Sequence, residues 1–192
     1  MTARSTVFVL SGPSGSGKHA VLKELTKRDP SLVLTVTATT RPPREGEVQG
    51  RDYLFLSREE FIRRIEAGEF VEWADVHGCL YGTLRSELER HLDSGKLVFL
   101  QLDVQGMRSL KKAGLDVQTI FLMPPSIEEL AARLEKRGTD PPEVIRERLQ
   151  NALEEMEARE EYDYVVVNDT LPHAVEAIER IIQERAASAT RQ

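Results

Sequence analysis

Val7-Phe8-Val9-Leu10, followed after one residue by Gly12-Pro13-Ser14-Gly15-Ser16-Gly17-Lys18, is the stretch on which the fold turns. The apolar run has the length of a buried strand. A glycine-rich turn interrupts it, and helical spacing then runs from Lys18 to Lys27, with Ala20, Val21 and Leu25 available to a core. Glycine permits close turns in which neighbouring backbone amides converge on one point. The helix that follows adds its own unpaired N-terminal amides. With the Lys18 ammonium, these groups form a polyphosphate cradle made by Gly12, Pro13, Ser14, Gly15, Ser16, Gly17, Lys18, His19 and Ala20. The strand before the turn and the helix after it make the string specific for a nucleoside triphosphate. Phosphoryl transfer is the expected chemistry, because amides and a lysine fixed in advance stabilise charge moving across phosphoryl oxygens. His19 stands where a hydroxyl commonly follows the lysine. A hydroxyl is a hard ligand for Mg2+ and imidazole suits softer metals, so water and phosphate oxygens are left to complete the coordination of Mg2+.

Outward from this loop, apolar runs of strand length recur at Leu32 to Val36, Leu97 to Leu102, Val117 to Leu122 and Tyr164 to Val167. Helical patterns beginning near Val104, Ile127 and Ala174 separate or follow them. The alternation predicts an α/β fold: a five-stranded parallel core sheet with flanking helices, a small mixed α/β insertion and a helical lid. Residues 1–38, 93–136 and 143–192 are assigned to the core, residues 39–92 to the insertion and residues 137–142 to the lid region. Within the insertion, short strands are expected at Tyr53 to Leu56 and around Phe70 to Trp73. Ser57-Arg58-Glu59-Glu60 and Ser126-Ile127-Glu128-Glu129 have the spacing of capping boxes, in which serine bonds an early helix amide and glutamate returns to the cap amide. Gly68 is placed to end the first of these helices. Arg137 to Pro142 is polar, and Pro141 and Pro142 restrict its exit.

The chain has 192 residues, 40% of them hydrophobic, which suffices for one sizeable core. Its formal charge of -6, from 26 basic and 32 acidic residues, disfavours a general nucleic-acid partner, since a polyanion seeks a broad basic surface. Cys79 is the one cysteine, so no intrachain disulfide forms. The Val7 to Leu10 run leads straight into glycines, unlike a signal peptide, and no stretch approaches the roughly 20 apolar residues of a bilayer span. A cytoplasmic protein with no membrane partner is expected.

A second polar constellation lies between Thr37 and Thr83. Arg41 and Arg44 flank Pro42-Pro43 beside a strand end and can surround one phosphate, with Tyr53 and Tyr81 adding uncharged donors. In Glu69-Phe70-Val71-Glu72-Trp73, strand alternation sends Glu72 to the face opposite Val71 and Trp73. A carboxylate turned to a polar ligand accepts hydrogen bonds, and the guanine edge offers N1–H and N2–H2 donors in the required arrangement where adenine does not. Thr37 or Thr83 could donate to guanine O6.

With these residues in view, the chain resembles the guanylate kinase family. The Gly12 to Lys18 loop is similar to the family's ATP loop, and the Thr39 to Phe55 segment, containing Thr39-Thr40-Arg41-Pro42-Pro43-Arg44, to its guanine-nucleotide signature. Glu72-Trp73-Ala74, Tyr81-Gly82-Thr83 and Asp103-Val104-Gln105-Gly106 resemble further family segments, and the likeness runs from about Val7 to Leu171. The resemblance implies an ATP:GMP phosphotransferase that uses ATP and Mg2+. Because the pocket reads the base more clearly than the sugar 2′-hydroxyl, dGMP is expected as an acceptor too, and both a monomer and a homodimer stay open. By the same resemblance, Arg41, Arg44, Tyr53 and Tyr81 would hold the GMP phosphate, and Thr37, Glu72 and Thr83 would read guanine. Asp103 would organise the acceptor, or Mg2+ through water. Lys18, Arg41, Arg133, Arg137 and Arg148 would act on the transferring phosphate, and Asn168 would lie near the adenine. Gln101 replaces a strand-end acid common in relatives. Two other readings stay open: a catalytically weak domain of this type that binds nucleotide or phosphoprotein, and a kinase for another nucleoside monophosphate.

Overall fold

The computed structural model describes residues 6–76, 78–93, 96–136 and 141–189. β1 (Val7–Ser11) is buried along its whole length, as a strand covered on both faces must be. α1 (Lys18–Arg28) follows the glycine turn and buries Val21, Leu22 and Leu25. Next come β2 (Leu32–Leu34), β3 (Ala38–Thr39), β4 (Leu54–Phe55), α2 (Arg58–Glu66), β5 (Phe70–Val76) and β6 (Cys79–Leu84). The remaining elements are α3 (Arg85–Leu92), β7 (Leu97–Gln101), α4 (Val104–Lys112), β8 (Val117–Met123), α5 (Ile127–Lys136), α6 (Pro142–Glu157), β9 (Tyr164–Val167) and α7 (Leu171–Ala189).

Five strands form one parallel sheet in the order β2-β7-β1-β8-β9, with β1 at its centre. Four short strands form a mixed sheet, β4-β3-β6-β5, in which β3 pairs parallel to β4 and antiparallel to β6. The chain divides into two compact units, Met1–Val9 with Ser31–Gln118 and Leu10–Pro30 with Thr119–Gln192. Residues 39–92 fall wholly in the first unit and the glycine turn wholly in the second.

In the first unit, α2 closes one face of the mixed sheet through Ala38, Phe61, Phe70, Leu80 and Leu84. The Phe61 and Phe70 rings stack with centroids 4.4 Å apart, a pair that contributes roughly 0.5–1.5 kcal/mol beyond its area burial. Between the pairs Phe70↔Leu84 and Glu72↔Thr83, β5 advances two residues while β6 advances one. Val71 is therefore the extra residue of a bulge. Simple alternation would put Phe70 and Glu72 on one face. The bulge lets Phe70 join the α2 core while Glu72 turns to the other face with Thr83.

In the second unit, Leu130, Leu134 and Ala152 pair α5 with α6, and Pro142 sits in the first turn of α6, where its missing N–H costs no bond. Asp163 Oδ2 accepts from Thr119 N at 2.8 Å and Thr119 Oγ1 at 2.7 Å, fixing the entry to β9. No helix among the described residues is long and apolar enough to cross a membrane.

Several local expectations need correction. β2 ends at Leu34 and β4 contains two residues. β5 runs on to Val76 and pairs with β6, a strand not anticipated from its mixed composition, and α3 was not anticipated either. The capping boxes are half made. Ser57 Oγ accepts from Glu60 N and Ser126 Oγ from Glu129 N, each at 3.1 Å. The returning arms go elsewhere: Glu60 to Arg63 and Arg64, Glu129 toward Arg133. A charge-assisted bond to a guanidinium one turn away is stronger than one to a neutral amide. Gly68 terminates the helix as expected, with φ 68°.

Candidate active site

In the second unit the glycine turn is held from below. Gly12 has φ 141°, and a Cβ there would stand 2.2 Å from the Leu122 carbonyl oxygen. Gly17 has φ 97° at the start of α1, where a Cβ would stand 2.3 Å from Asn168 Nδ2. Only glycine fits either position without displacing its neighbours. No side chain caps α1, so its first amides are left to the turn and whatever the turn binds. Lys18 Nζ lies across the turn and donates to the carbonyls of Gly12 and Pro13. Asn168, buried just beyond β9, donates from Nδ2 to Ser16 O at 2.7 Å. Arg133 on α5 reaches Asn168 O at 3.1 Å, and Arg148 on α6 reaches Ser14 Oγ at 3.4 Å. One lysine and two arginines thus accompany the glycine turn. His19 and Ala20 are exposed. Arg137 lies outside the described residues.

In the first unit Arg41 is held from three sides. Its Nη2 donates to Glu47 Oε1 at 2.9 Å and Oε2 at 3.0 Å, and its Nη1 to Pro42 O at 2.7 Å. Its guanidinium carbon lies 5.2 Å from the Tyr53 ring centroid and 5.8 Å from that of Phe55. Glu47 Oε2 also accepts from the Arg44 amide at 2.7 Å. The Arg44 side chain is exposed. Partial burial pushes the Glu47 carboxyl up, but the bonds from Arg41 and from the Arg44 backbone outweigh it and hold the pKa below the ordinary value. Tyr53 and Tyr81 meet edge to face at 6.3 Å. Burial, and then Tyr81, raises the Tyr53 pKa, so the phenol keeps its proton as a donor.

Glu72 and Thr83 sit directly opposite on β5 and β6, as do Ala74 and Tyr81. Tyr81 and Thr83 therefore share one face of β6. Glu72 is 5% exposed and Thr83 fully buried, yet Glu72 Oε1 and Thr83 Oγ1 make no hydrogen bond of full geometry within the protein. Burial pushes the Glu72 carboxyl up to about 7. The nearby dipoles of Thr83 oppose that shift and the charge of Asp103 reinforces it. Asp103 itself caps α4, accepting from Gly106 N at 2.8 Å. Gly106 lies so close that a Cβ there would stand 2.7 Å from Glu72 Oε2. Thr37 is buried just before β3, and its carbonyl accepts from Leu54 N.

Of the residues singled out from sequence, Gly12 to Lys18, Arg133, Arg148 and Asn168 come together in one unit. Arg41, Tyr53 and Tyr81 form one cluster of the other unit, Arg44 joining it through its backbone, and Glu72, Thr83 and Asp103 form a second. Glu47 and Gly106 were missed. Both lie within quoted motifs, but their contacts depend on a loop closing on itself and on a helix start meeting a strand, which spacing does not reveal.

A glycine-rich turn between the central strand of a parallel sheet and a helix, with separate cationic and buried acidic clusters, has the build of a nucleotide-binding phosphotransferase of the α/β type. The family model described as guanylate kinase matches residues 4–185. The chain is 46% identical over 188 residues to a guanylate kinase of Thermotoga maritima, covering 98% of this chain and 91% of that one. It is 48% identical over 180 residues to a guanylate kinase of Gloeobacter violaceus, covering 94% and 88%. The crystal structure of guanylate kinase from Anaplasma phagocytophilum superimposes with a TM-score of 0.78 at 35% identity, covering 95% of this chain and 87% of that chain. The chain belongs to the guanylate kinase family.

Proposed function

We propose that this protein transfers the γ-phosphoryl group of ATP to GMP, and to dGMP, giving ADP and GDP or dGDP. Membership of the family makes it a kinase, and the pocket chemistry supports this acceptor. The observation that carries the reading is the buried pair Glu72 Oε1 and Thr83 Oγ1, which face each other without a hydrogen bond of full geometry and lie on the strand face that also bears Tyr81. Unpaired buried polar groups cost about 1–3 kcal/mol each, a cost relieved by a ligand of matching pattern. Guanine N1–H and N2–H2 donate to a carboxylate, and a threonine hydroxyl, from Thr83 or Thr37, donates to O6. Adenine presents an acceptor at N1 and would leave the carboxylate repelled.

Arg41, Arg44, Tyr53 and Tyr81 hold the acceptor phosphate, with Glu47 orienting Arg41. Asp103 organises the acceptor side from the start of α4. Gly12 to Ala20 bind the donor phosphates, and Lys18, Arg133 and Arg148, with Arg137, stabilise the transferring charge. An oxygen of the acceptor phosphate forms a bond to the γ-phosphorus as the bond to the β–γ bridging oxygen breaks. That oxygen is already anionic, so no protein base is required. Among the described residues no group of three or more His, Cys, Asp or Glu could hold a metal. The site suits Mg2+ carried on ATP phosphates, because this cation keeps several waters and needs no protein cage. When bound it supplies charge neutralisation on the phosphate oxygens. The exposed His19 side chain is left to solvent, and only its backbone belongs to the phosphate cradle.

The test is simultaneous measurement of ADP and the nucleoside diphosphate with GMP, dGMP, AMP and UMP as acceptors. Stoichiometric GDP and ADP are expected. ADP without GDP would overturn the reading, and equal efficiency with AMP would overturn the guanine contact.

A further inference from the structure

Asn168 is buried and makes three bonds at one place. Its own amide donates to Met123 O at 2.8 Å, its Nδ2 donates to Ser16 O at 2.7 Å, and its carbonyl accepts from Arg133 Nη2 at 3.1 Å. The bond to Ser16 carries a directional consequence. The Ser16 carbonyl and the Gly17 N–H belong to one planar trans peptide and point in opposite directions. Turning that carbonyl onto Asn168 turns the Gly17 N–H away from Asn168. The approach is close enough that a Cβ on Gly17 would fall 2.3 Å from Nδ2, so the glycine and the asparagine fit as a pair.

We propose that Asn168 is a positioning residue for the donor phosphates: its side chain aims the Ser16–Gly17 peptide, and its backbone holds Arg133 in the same assembly. The inference rests on the donor reading given above and goes beyond it. It assigns Asn168 to the polyphosphate whether or not its Oδ1 also meets adenine.

The test uses Asn168→Leu, which removes the donor without adding charge, and Asn168→Asp, which keeps the shape but donates only when protonated. Binding of ATP and of inorganic tripolyphosphate, a probe with no base, is measured by calorimetry from pH 8 to pH 6 as a ratio to the unmodified protein. Thermal unfolding and GMP binding serve as fold controls. Asn168→Leu should weaken both ligands about 10- to 100-fold at every pH. Asn168→Asp should match that loss at pH 8 and recover toward pH 6, since burial raises a carboxyl pKa and the protonated acid can donate to Ser16 O. If Asn168→Asp does not fold at pH 8, Asn168→Ser, too short to reach Ser16 O, should show the same equal loss of both ligands.

Loss confined to ATP, with tripolyphosphate unaffected, would overturn the proposal in favour of a base contact. Retained binding in Asn168→Leu would overturn it as well. If the unmodified protein binds neither ligand, the donor reading itself fails, and this inference fails with it.

Discussion

The two regions proposed to handle phosphate are built from different materials. The donor region is mainly backbone: amides aimed by the geometry of Gly12 and Gly17, a lysine laid across the turn, and one buried amide side chain beneath it. The acceptor region is mainly side chains drawn from the loop after β3, from β5 and β6 and from the start of α4, and at its centre is a buried carboxyl shifted to about 7. Backbone amides carry no titratable charge, so the first design keeps its polarity at every working pH. On the proposed reading the second discriminates between bases by desolvating an ionisable group, and its affinity should then depend on protons.

The change with the largest expected effect is Lys18→Met. Removing one fixed cation from a preorganised oxyanion site costs about 10²- to 10³-fold in kcat. GMP binding measured directly should stay within about twofold, because Lys18 belongs to the donor design alone. A comparable loss of GMP affinity would break the division drawn here.

Glu72→Gln sharpens the contrast from the other side. The amide turns an N–H2 group or a single neutral oxygen toward two guanine donors, and kcat/KM for GMP should fall about 10²-fold with little change in KM for ATP. The proton dependence has a definite sign. Only the ionised carboxyl accepts both donors, and its pKa in the folded protein is about 7, above the ordinary 4.5. Below pH 7, GMP affinity of the unmodified protein relative to Glu72→Gln should therefore fall about tenfold per pH unit. Stability moves the opposite way. A raised carboxyl pKa disfavours the folded state fully above pH 7, progressively less as pH falls, and not at all below the unfolded value. Melting curves of the two proteins should thus converge toward pH 4.5. A GMP affinity ratio that is flat between pH 8 and pH 5.5 would show that Glu72 is not the group reading the base.

The same contrast explains what the sequence disclosed. A backbone site demands glycine at fixed places between a strand and a helix, so Gly12 to Lys18 announced the central strand and carries the proposed donor chemistry. The capped starts of α2 and α5 and the apolar runs of the five-stranded sheet were equally plain, because each is set by local spacing. Arg41 and Glu72 could be read as phosphate and base contacts from residue type and strand facing, whereas Asp103 was assigned only through the family pattern, since its relation to Glu72 is tertiary. β3, two residues long, is too short to carry a period, and α3 buries only Leu88. The bulge at Val71, the grip of Glu47 on Arg41 and the seat of Asn168 beneath Ser16 depend on contacts between distant or folded-back segments, for which a single sequence has no local signal.

Gly106→Ala has a smaller expected effect and probes how tightly the acceptor carboxyl is set. The added methyl would meet Glu72 Oε2 at 2.7 Å and Asp103 Oδ1 at 3.2 Å. The carboxyl end can give way, so the helix should survive, but the accepting oxygens move by a few tenths of an ångström. KM for GMP should rise about tenfold with kcat for bound GMP changing less. An unchanged KM would mean that the carboxyl tolerates more freedom than its burial implies.

The smallest expected effects come from the two helix caps, one in each unit. Ser57→Ala removes the acceptor for Glu60 N, and Ser126→Ala the acceptor for Glu129 N. Each should cost about 1 kcal/mol, and neither serine belongs to a proposed binding site. Hydrogen exchange locates the cost: amides of α2 should exchange faster in Ser57→Ala, and those of α5 in Ser126→Ala. α2 packs beneath the acceptor sheet, whereas α5 carries Arg133, so the kinetic traces of the two changes should differ in kind. Loosening α2 should show, if at all, in KM for GMP, and loosening α5 in KM for ATP. A Ser57→Ala protein whose ATP parameters shift more than its GMP parameters would mean that the acceptor and donor designs share their stability, and the comparison would then have to be redrawn around that coupling.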